Sequence, residues 1–151
     1  MKWQPHNYQK RAVKWLLQHP EAALFLEPGL GKTSVTLRAF QTLRKTGTVK
    51  RMLVVAPLSV VQLVWPREIQ KWDQFKDLSV SILHGPGKAE AARSKADIHI
   101  INYEGLPWLC SLDRYRWPEV LVCDGQPRLV RARQSLDDLF RGEIIPNVVS
   151  A

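Results

Sequence analysis

The residues best equipped for chemistry lie in one stretch, LEPGLGKT, which runs from Leu26 to Thr33. Gly29 and Gly31 permit backbone angles that turn successive N–H groups inward. With Pro28 and Leu30 between and beside them, those donors and the positive end of a following helix make a nest for phosphate oxygens. Lys32 adds a point charge at the outer phosphates, and the Thr33 hydroxyl suits Mg2+. The first position of the GxxxxGK[ST] pattern holds Leu26 rather than Gly. That departs from the strict motif but keeps its active half. The bland alternative is a Gly-rich turn ending in an exposed Lys. A strand before the loop and a helix after it favour the phosphate-binding reading.

A second stretch, VLVCDG, ends an apolar run on Asp124. A nucleotide-hydrolysing strand ends in such an acid and carries a second one directly after it. Here that next residue is Gly125, which has no side chain to activate a water.

Strands and helices must position these groups, and the chain alternates them. Pro5 can open a helix that YQKRAVKWLLQ continues, with Tyr8, Ala12, Trp15 and Leu16 at helical spacing and Pro20 as a stop. Ala22 to Leu26 is a short continuous apolar run, as in a buried parallel strand. A helix is expected from about Lys32 to Lys45, with Gly47 just past its end. RMLVVAP predicts a second strand closed by Pro57, and WPREIQKWDQF a helix with Pro66 in its first turn. LSVSILHG reads as the third strand, PGKAEAARSKA as a short helix, DIHIINYEG as the fourth strand and a loop, and PEVLVCD as the fifth strand. This rhythm predicts an α/β fold whose parallel sheet is covered on both faces. Active groups of such folds gather at the carboxyl ends of strands. Pro57, His84, Asn102 and Asp124 fall there, with the Gly-rich loop.

Composition agrees with one soluble globular domain: 151 residues, 45% hydrophobic and 24% charged. The formal net charge of +8 suits a polyanionic partner such as nucleic acid, although a basic surface alone can be inert. Cys110 and Cys123 show neither CxxC nor metal-ligand spacing and read as buried, reduced thiols of a cytosolic protein. The opening MKWQPHNYQK lacks the apolar region of a signal peptide, and no stretch reaches the ~20 apolar residues of a membrane span. A cytoplasmic placement is expected, bacterial or, for a phage-encoded chain, that of the host.

Taken in order, these segments resemble the N-terminal RecA-like lobe of a superfamily 2 helicase, most closely the Swi/Snf-type ATPases and their phage relatives. The resemblance covers roughly Gln4 to Asp124. NYQKRAVKWL resembles the segment whose glutamine reads adenine, which points to Gln9; a side-chain amide both donates to and accepts from a base edge. LVVAPLSVVQLVWPREIQKW resembles the family's motif Ia, which implies that Pro57, Ser59 and nearby backbone N–H groups hold a DNA phosphate. Trp65 and Trp72, seven residues apart, read as helix packing. LHG and INYEGL resemble the next DNA-facing motifs and imply contacts from His84, Gly85, Asn102 and Tyr103. VLVCD resembles the Walker B strand, so Asp124 would hold the water shell of Mg2+ opposite Thr33. The resemblance thus implies ATP and Mg2+ as ligands, DNA as partner, and Lys32 and Asp124 as catalytic groups, with no membrane.

The departure falls at Gly125, where the family carries its general-base Glu. From there the tail, residues 125–151, offers one short helix, Ser135 to Arg141, and no strong strand. Neither the alcohol-rich motif III nor a second RecA-like lobe with its arginine finger is recognisable; a separate chain could supply that lobe. The expectation is a lobe over residues 1–124, incomplete at its C-terminal end. The tail would be divergent, out of frame or the remnant of a truncated gene. Such a chain would bind ATP without turning it over. Two other readings stand beside this one. A non-catalytic nucleotide- or DNA-binding fragment fits the missing Glu. A small nucleotide kinase fits the length, but no Arg-rich lid or acceptor pocket is identifiable.

Overall fold

The apolar runs form the strands of one sheet, and the amphipathic segments between them form its covering helices. The computed structural model describes residues 1–18, 22–23, 31–124 and 148–150. In chain order the elements are α1 (Asn7–Gln18), β1 (Ala22–Ala23), α2 (Lys32–Lys45) and β2 (Met52–Ala56). A π-helical turn (Val60–Val64), α3 (Trp65–Lys71), β3 (Val80–Ile82) and α4 (Lys88–Arg93) follow. Then come β4 (Ile98–Asn102), a 3-10 turn (Tyr103–Gly105), α5 (Leu106–Cys110), β5 (Val120–Cys123) and β6 (Val148–Ser150).

The strands lie in the order β1-β6-β5-β2-β4-β3, and each pairing is parallel. Parallel neighbours need long crossovers. The helical run through α3 fills that between β2 and β3, and α4 that between β3 and β4. From β2 the chain goes to the far edge, returns through β4, then crosses to β5 on the opposite side of β2. Because the strands run one way, their carboxyl ends share one edge, where open α/β sheets bind ligands.

Alternation along the strands splits the core in two. Met52, Val54, Ile98, Ile100, Val120 and Val122 face Val35 and Phe40 of α2, and Trp65 and Ile69 of α3. Leu53, Val55, Ile101 and Leu121 face Ala92 of α4 and Leu106 and Leu109 of α5. The α/β fold with both faces covered is therefore as expected. Helix α2 also matches its expected bounds. Gly47, at φ 76°, follows its end. The Gly47 and Thr48 N–H groups donate to the carbonyls of Arg44 (3.0 Å) and Leu43 (3.1 Å), a glycine-closed helix end.

Other expectations are corrected. Helix α1 begins at Asn7 rather than Pro5, buries Gln9 and Leu16, and leaves Trp15 39% exposed. The helix around Pro66 winds from residue 58 and stops at Lys71, because Trp72 is extended at ψ 129°. The loop expected after β4 is instead helical through α5, with Pro107 near its start. Cys110 and Cys123 are free thiols, but both are partly exposed; burial pushes the Cys110 thiol pKa up. Most important, a strand does follow Asp124: β6 pairs with β1 on one side and β5 on the other. The expected tail helix, Ser135 to Arg141, and residues 24–26 of the first expected strand lie outside the described residues. Among the described residues, no helix is long and apolar enough to cross a membrane.

Candidate functional site

Helix α2 presents its first turn with Gly31, Lys32 and Thr33; Pro28, Gly29, Leu30 and Gly125 lie outside the described residues. Gly31 caps the helix in the left-handed region, at φ 78° and ψ 37°. The Gly31 carbonyl accepts from the Val35 N–H (3.1 Å) and the Ser34 hydroxyl (2.9 Å). Thr36 likewise bonds back to the Lys32 carbonyl at 2.8 Å. The first turn carries no acid, and Arg44 and Lys45 occupy the last. No carboxylate of its own therefore neutralises the positive helix end, which remains suited to an external anion. Lys32 and Thr33 are both partly exposed.

Gln9 reaches this loop from α1. It is 6% exposed, and its Oε1 accepts from the His6 N–H at 2.9 Å. Its amide Nε2 lies so near Gly31 that a Cβ there would clash with it. The structure thus brings the expected adenine reader against the end of the expected phosphate loop, and glycine makes the approach possible.

Asp124 stands at the carboxyl end of β5. Its N–H donates to the Val55 carbonyl at 2.7 Å, extending the β2–β5 ladder by one residue. Alternation puts its side chain on the face of Val120 and Val122, the face that α2 and α3 cover. There the Trp65 indole Nε1 donates to Oδ2 of Asp124 at 2.9 Å. On the main chain, the Asp124 carbonyl accepts from the Tyr103 hydroxyl at 2.9 Å. Burial, then the neighbouring Cys123 and Asp124, raises the Tyr103 phenol pKa, so this donor keeps its proton. Sequence reasoning treated Trp65 as packing alone. The available signal was general: a buried indole N–H needs a partner.

A carboxylate, a hydroxyl and the phosphates of a nucleotide are hard oxygen donors that suit Mg2+. Among the described residues, no group of three or more His, Cys, Asp or Glu side chains is placed to hold a metal. Of the expected ligands, Asp124 offers a carboxylate and Thr33 a hydroxyl, both donors of that class.

The expected DNA-facing residues divide by exposure. Pro57 ends β2, and its carbonyl accepts from the N–H groups of Val60 and Val61, both at 2.9 Å. Helical winding starts at residue 58 and places exposed Ser59 in its first turn. His84 is exposed beyond β3, beside Gly85 at φ 74°. Asn102 and Tyr103 are instead turned inward, 7% and 8% exposed. Asn102 donates from Nδ2 to Glu104 at 3.0 Å, and Tyr103 is committed to Asp124. A groove-lining role does not fit those two side chains as placed.

A buried polar cluster escaped the sequence reading altogether. His99 on β4 is fully buried. Its Nε2 meets the Ser94 carbonyl at 3.1 Å and its Nδ1 the Tyr115 hydroxyl at 2.9 Å. A carbonyl only accepts, so Nε2 carries the proton and Nδ1 accepts from Tyr115. With that tautomer the Arg51 guanidinium donates to the same ring at Nδ1, 3.2 Å away. Burial, and then the Arg51 charge, lowers the His99 pKa to about 4.

Comparison with known proteins gives the family. The family model described as the SNF2-related domain matches residues 8–138, past Asp124. Protein p41 of Acyrthosiphon pisum secondary endosymbiont phage 1 is 34% identical over 130 residues, covering 83% of this chain and 28% of its own. The DNA excision repair protein CSB of Oryza sativa subsp. japonica is 33% identical over 93 residues, 59% of this chain and 8% of its own. YwqA of Bacillus subtilis (strain 168), named for a proposed ATP-dependent helicase/translocase activity, is 36% identical over 102 residues, 64% of this chain and 10% of its own. The chain thus spans under a third of each of these relatives. With a parallel α/β sheet, a glycine-led α2 and Asp124 at the end of β5, and with the family match over residues 8–138, the chain belongs to the SNF2-related domain family.

Proposed function

We propose that this chain is the ATP-binding lobe of a DNA helicase or translocase, and that by itself it binds ATP without turning it over. One observation carries the reading. On one face of a parallel sheet, an acid-free, glycine-led helix start bearing Lys32 and Thr33 accompanies Asp124 at the carboxyl end of β5. The loop N–H groups and Lys32 would bind the phosphates, Gln9 would orient the adenine, and Thr33 and Asp124 would hold Mg2+. When bound, the ion offsets phosphate charge. Ser59 and the backbone N–H groups at the helical start after Pro57 would seat a DNA phosphate, with His84 and Gly85 beside them. The helicase/translocase name of YwqA and the DNA-repair name of CSB support this direction.

The inactivity follows from Gly125. Without a carboxylate there, no side chain at that position takes the proton from the attacking water. A second lobe, from another chain or from a longer protein, would add the arginine that stabilises the transition state. A non-catalytic nucleotide- and DNA-binding role is the second reading, and Gly125 is what favours it. The test is ATP turnover by this chain with and without duplex DNA, beside Lys32→Ala. The expected result is nucleotide binding that Lys32→Ala abolishes, with no turnover in either protein. DNA-stimulated turnover lost in Lys32→Ala would overturn the inactivity but keep the ATP site. Nucleotide binding indifferent to Lys32 would overturn the site itself.

A further inference from the structure

The helical run from residue 58 to 71 is not uniform. Between Val60 and Val64 it widens to π geometry, and the Trp65 N–H bonds the Val60 carbonyl, five residues back. A π-turn carries one extra residue relative to an α-turn. One residue corresponds to roughly 100° around an α-helix, so the extra residue decides which way Trp65 points. It points inward: Trp65 is 1% exposed, and its indole N–H meets Asp124 Oδ2 at 2.9 Å. Three elements therefore converge on one residue. β2 holds the Asp124 N–H, Tyr103 holds its carbonyl, and Trp65 holds its carboxylate.

We propose that Trp65 is a positioning residue for the magnesium site: its indole N–H fixes the Asp124 carboxylate in the orientation that receives the ion. The proposal rests on the ATP-lobe reading above. A single N–H donor engages one oxygen, whereas a carboxylate has two, so the bond orients the group without exhausting it. The donor is neutral and cannot leave the core. A lysine or arginine in its place would instead compete with the metal for the carboxylate by charge. The π-turn fits this role, since widened turns recur where a helix must present a particular side chain at a functional site.

The test separates the donor from its bulk. In Trp65→Phe an aromatic ring still fills the core but the N–H is gone. Affinity for a fluorescent ATP analogue is measured in excess Mg2+ and in EDTA, beside the parent chain and Lys32→Ala. A hydrogen bond to a charged group is worth roughly tenfold or more in an equilibrium constant. The expected result is affinity in EDTA within about twofold of the parent and a Mg2+-dependent gain reduced about tenfold. An undiminished gain, or an equal loss with and without Mg2+, overturns the proposal, the latter because it marks a purely structural role. A parent chain that binds no nucleotide, or binds it independently of Lys32, sinks the ATP-lobe reading and the proposal with it. Should Trp65→Phe not fold, the parent chain still decides the matter by NMR. The Trp65 indole N–H resonance is expected to shift in Asp124→Asn and on adding Mg2+ with the analogue; an unmoved resonance overturns the proposal.

Discussion

Gly31 carries two constraints at once. Its φ of 78° is costly for a residue with a Cβ, on the order of 1 kcal/mol. A Cβ there would clash with the Gln9 amide. Gly31→Ala must therefore strain the start of α2 and push Gln9 away. The expected outcome is a loss of about 2 kcal/mol in stability and at least tenfold weaker ATP binding, measured by denaturant melts and by titration of a fluorescent analogue. Unchanged affinity would show that the Gln9–Gly31 contact is incidental. At this scale the sequence was legible where backbone chemistry is local. Gly31, Lys32 and Thr33 declare themselves because few other residues suit a phosphate nest. The inward turn of Asn102 and Tyr103 was not legible. Their direction is set by Glu104 and Asp124, which spacing along a strand end does not specify.

Elements carry the second kind of information. Strands β2, β4 and β5 were readable because continuous apolar runs suit a sheet buried on both faces. Helix α2 was readable from its glycine-flanked ends. The π-turn was not, because the same residues satisfy an α-register until Trp65 must meet Asp124. The cluster joining β2, β4 and the segment after α5 was also hidden, since His99 looks like any residue of an apolar strand. Its pKa gives a sign-definite prediction. The folded value is about 4, below the ordinary 6.5, so the unfolded chain binds the proton more tightly. The stability tied to neutral His99 is complete above pH 6.5 and drains as pH falls from there to about 4. At ~1.4 kcal/mol per pH unit, the loss is on the order of 3 kcal/mol. Chemical denaturation across that range should show this slope in the parent chain and a flatter one in His99→Gln. Equal slopes would show that His99 carries none of this pH dependence.

The whole molecule turns on whether residues beyond Asp124 belong to the fold. Composition and rhythm suggested that they do not, because no apolar run of ordinary strand length follows. Strand β6 nevertheless lies between β1 and β5, pairing Val149 with both Ala22 and Val122. A strand only three residues long leaves little trace in a sequence; its place is set by the neighbours it bridges. Removing residues 125–151 should part β1 from β5 and cost on the order of 2 kcal/mol, since several ladder hydrogen bonds go with it. The check is a melting comparison of the full and shortened chains. A shortened chain of equal or greater stability would instead fit a tail that contributes nothing to the lobe. The start of α2 and Asp124 are proposed to form one nucleotide site. An equilibrium titration of Mg2+ and ATP against the parent chain and Lys32→Ala tests it most directly. Saturable binding by the parent, weakened at least about tenfold in Lys32→Ala, is the predicted result; equal binding by the two proteins, or none by the parent, would contradict it.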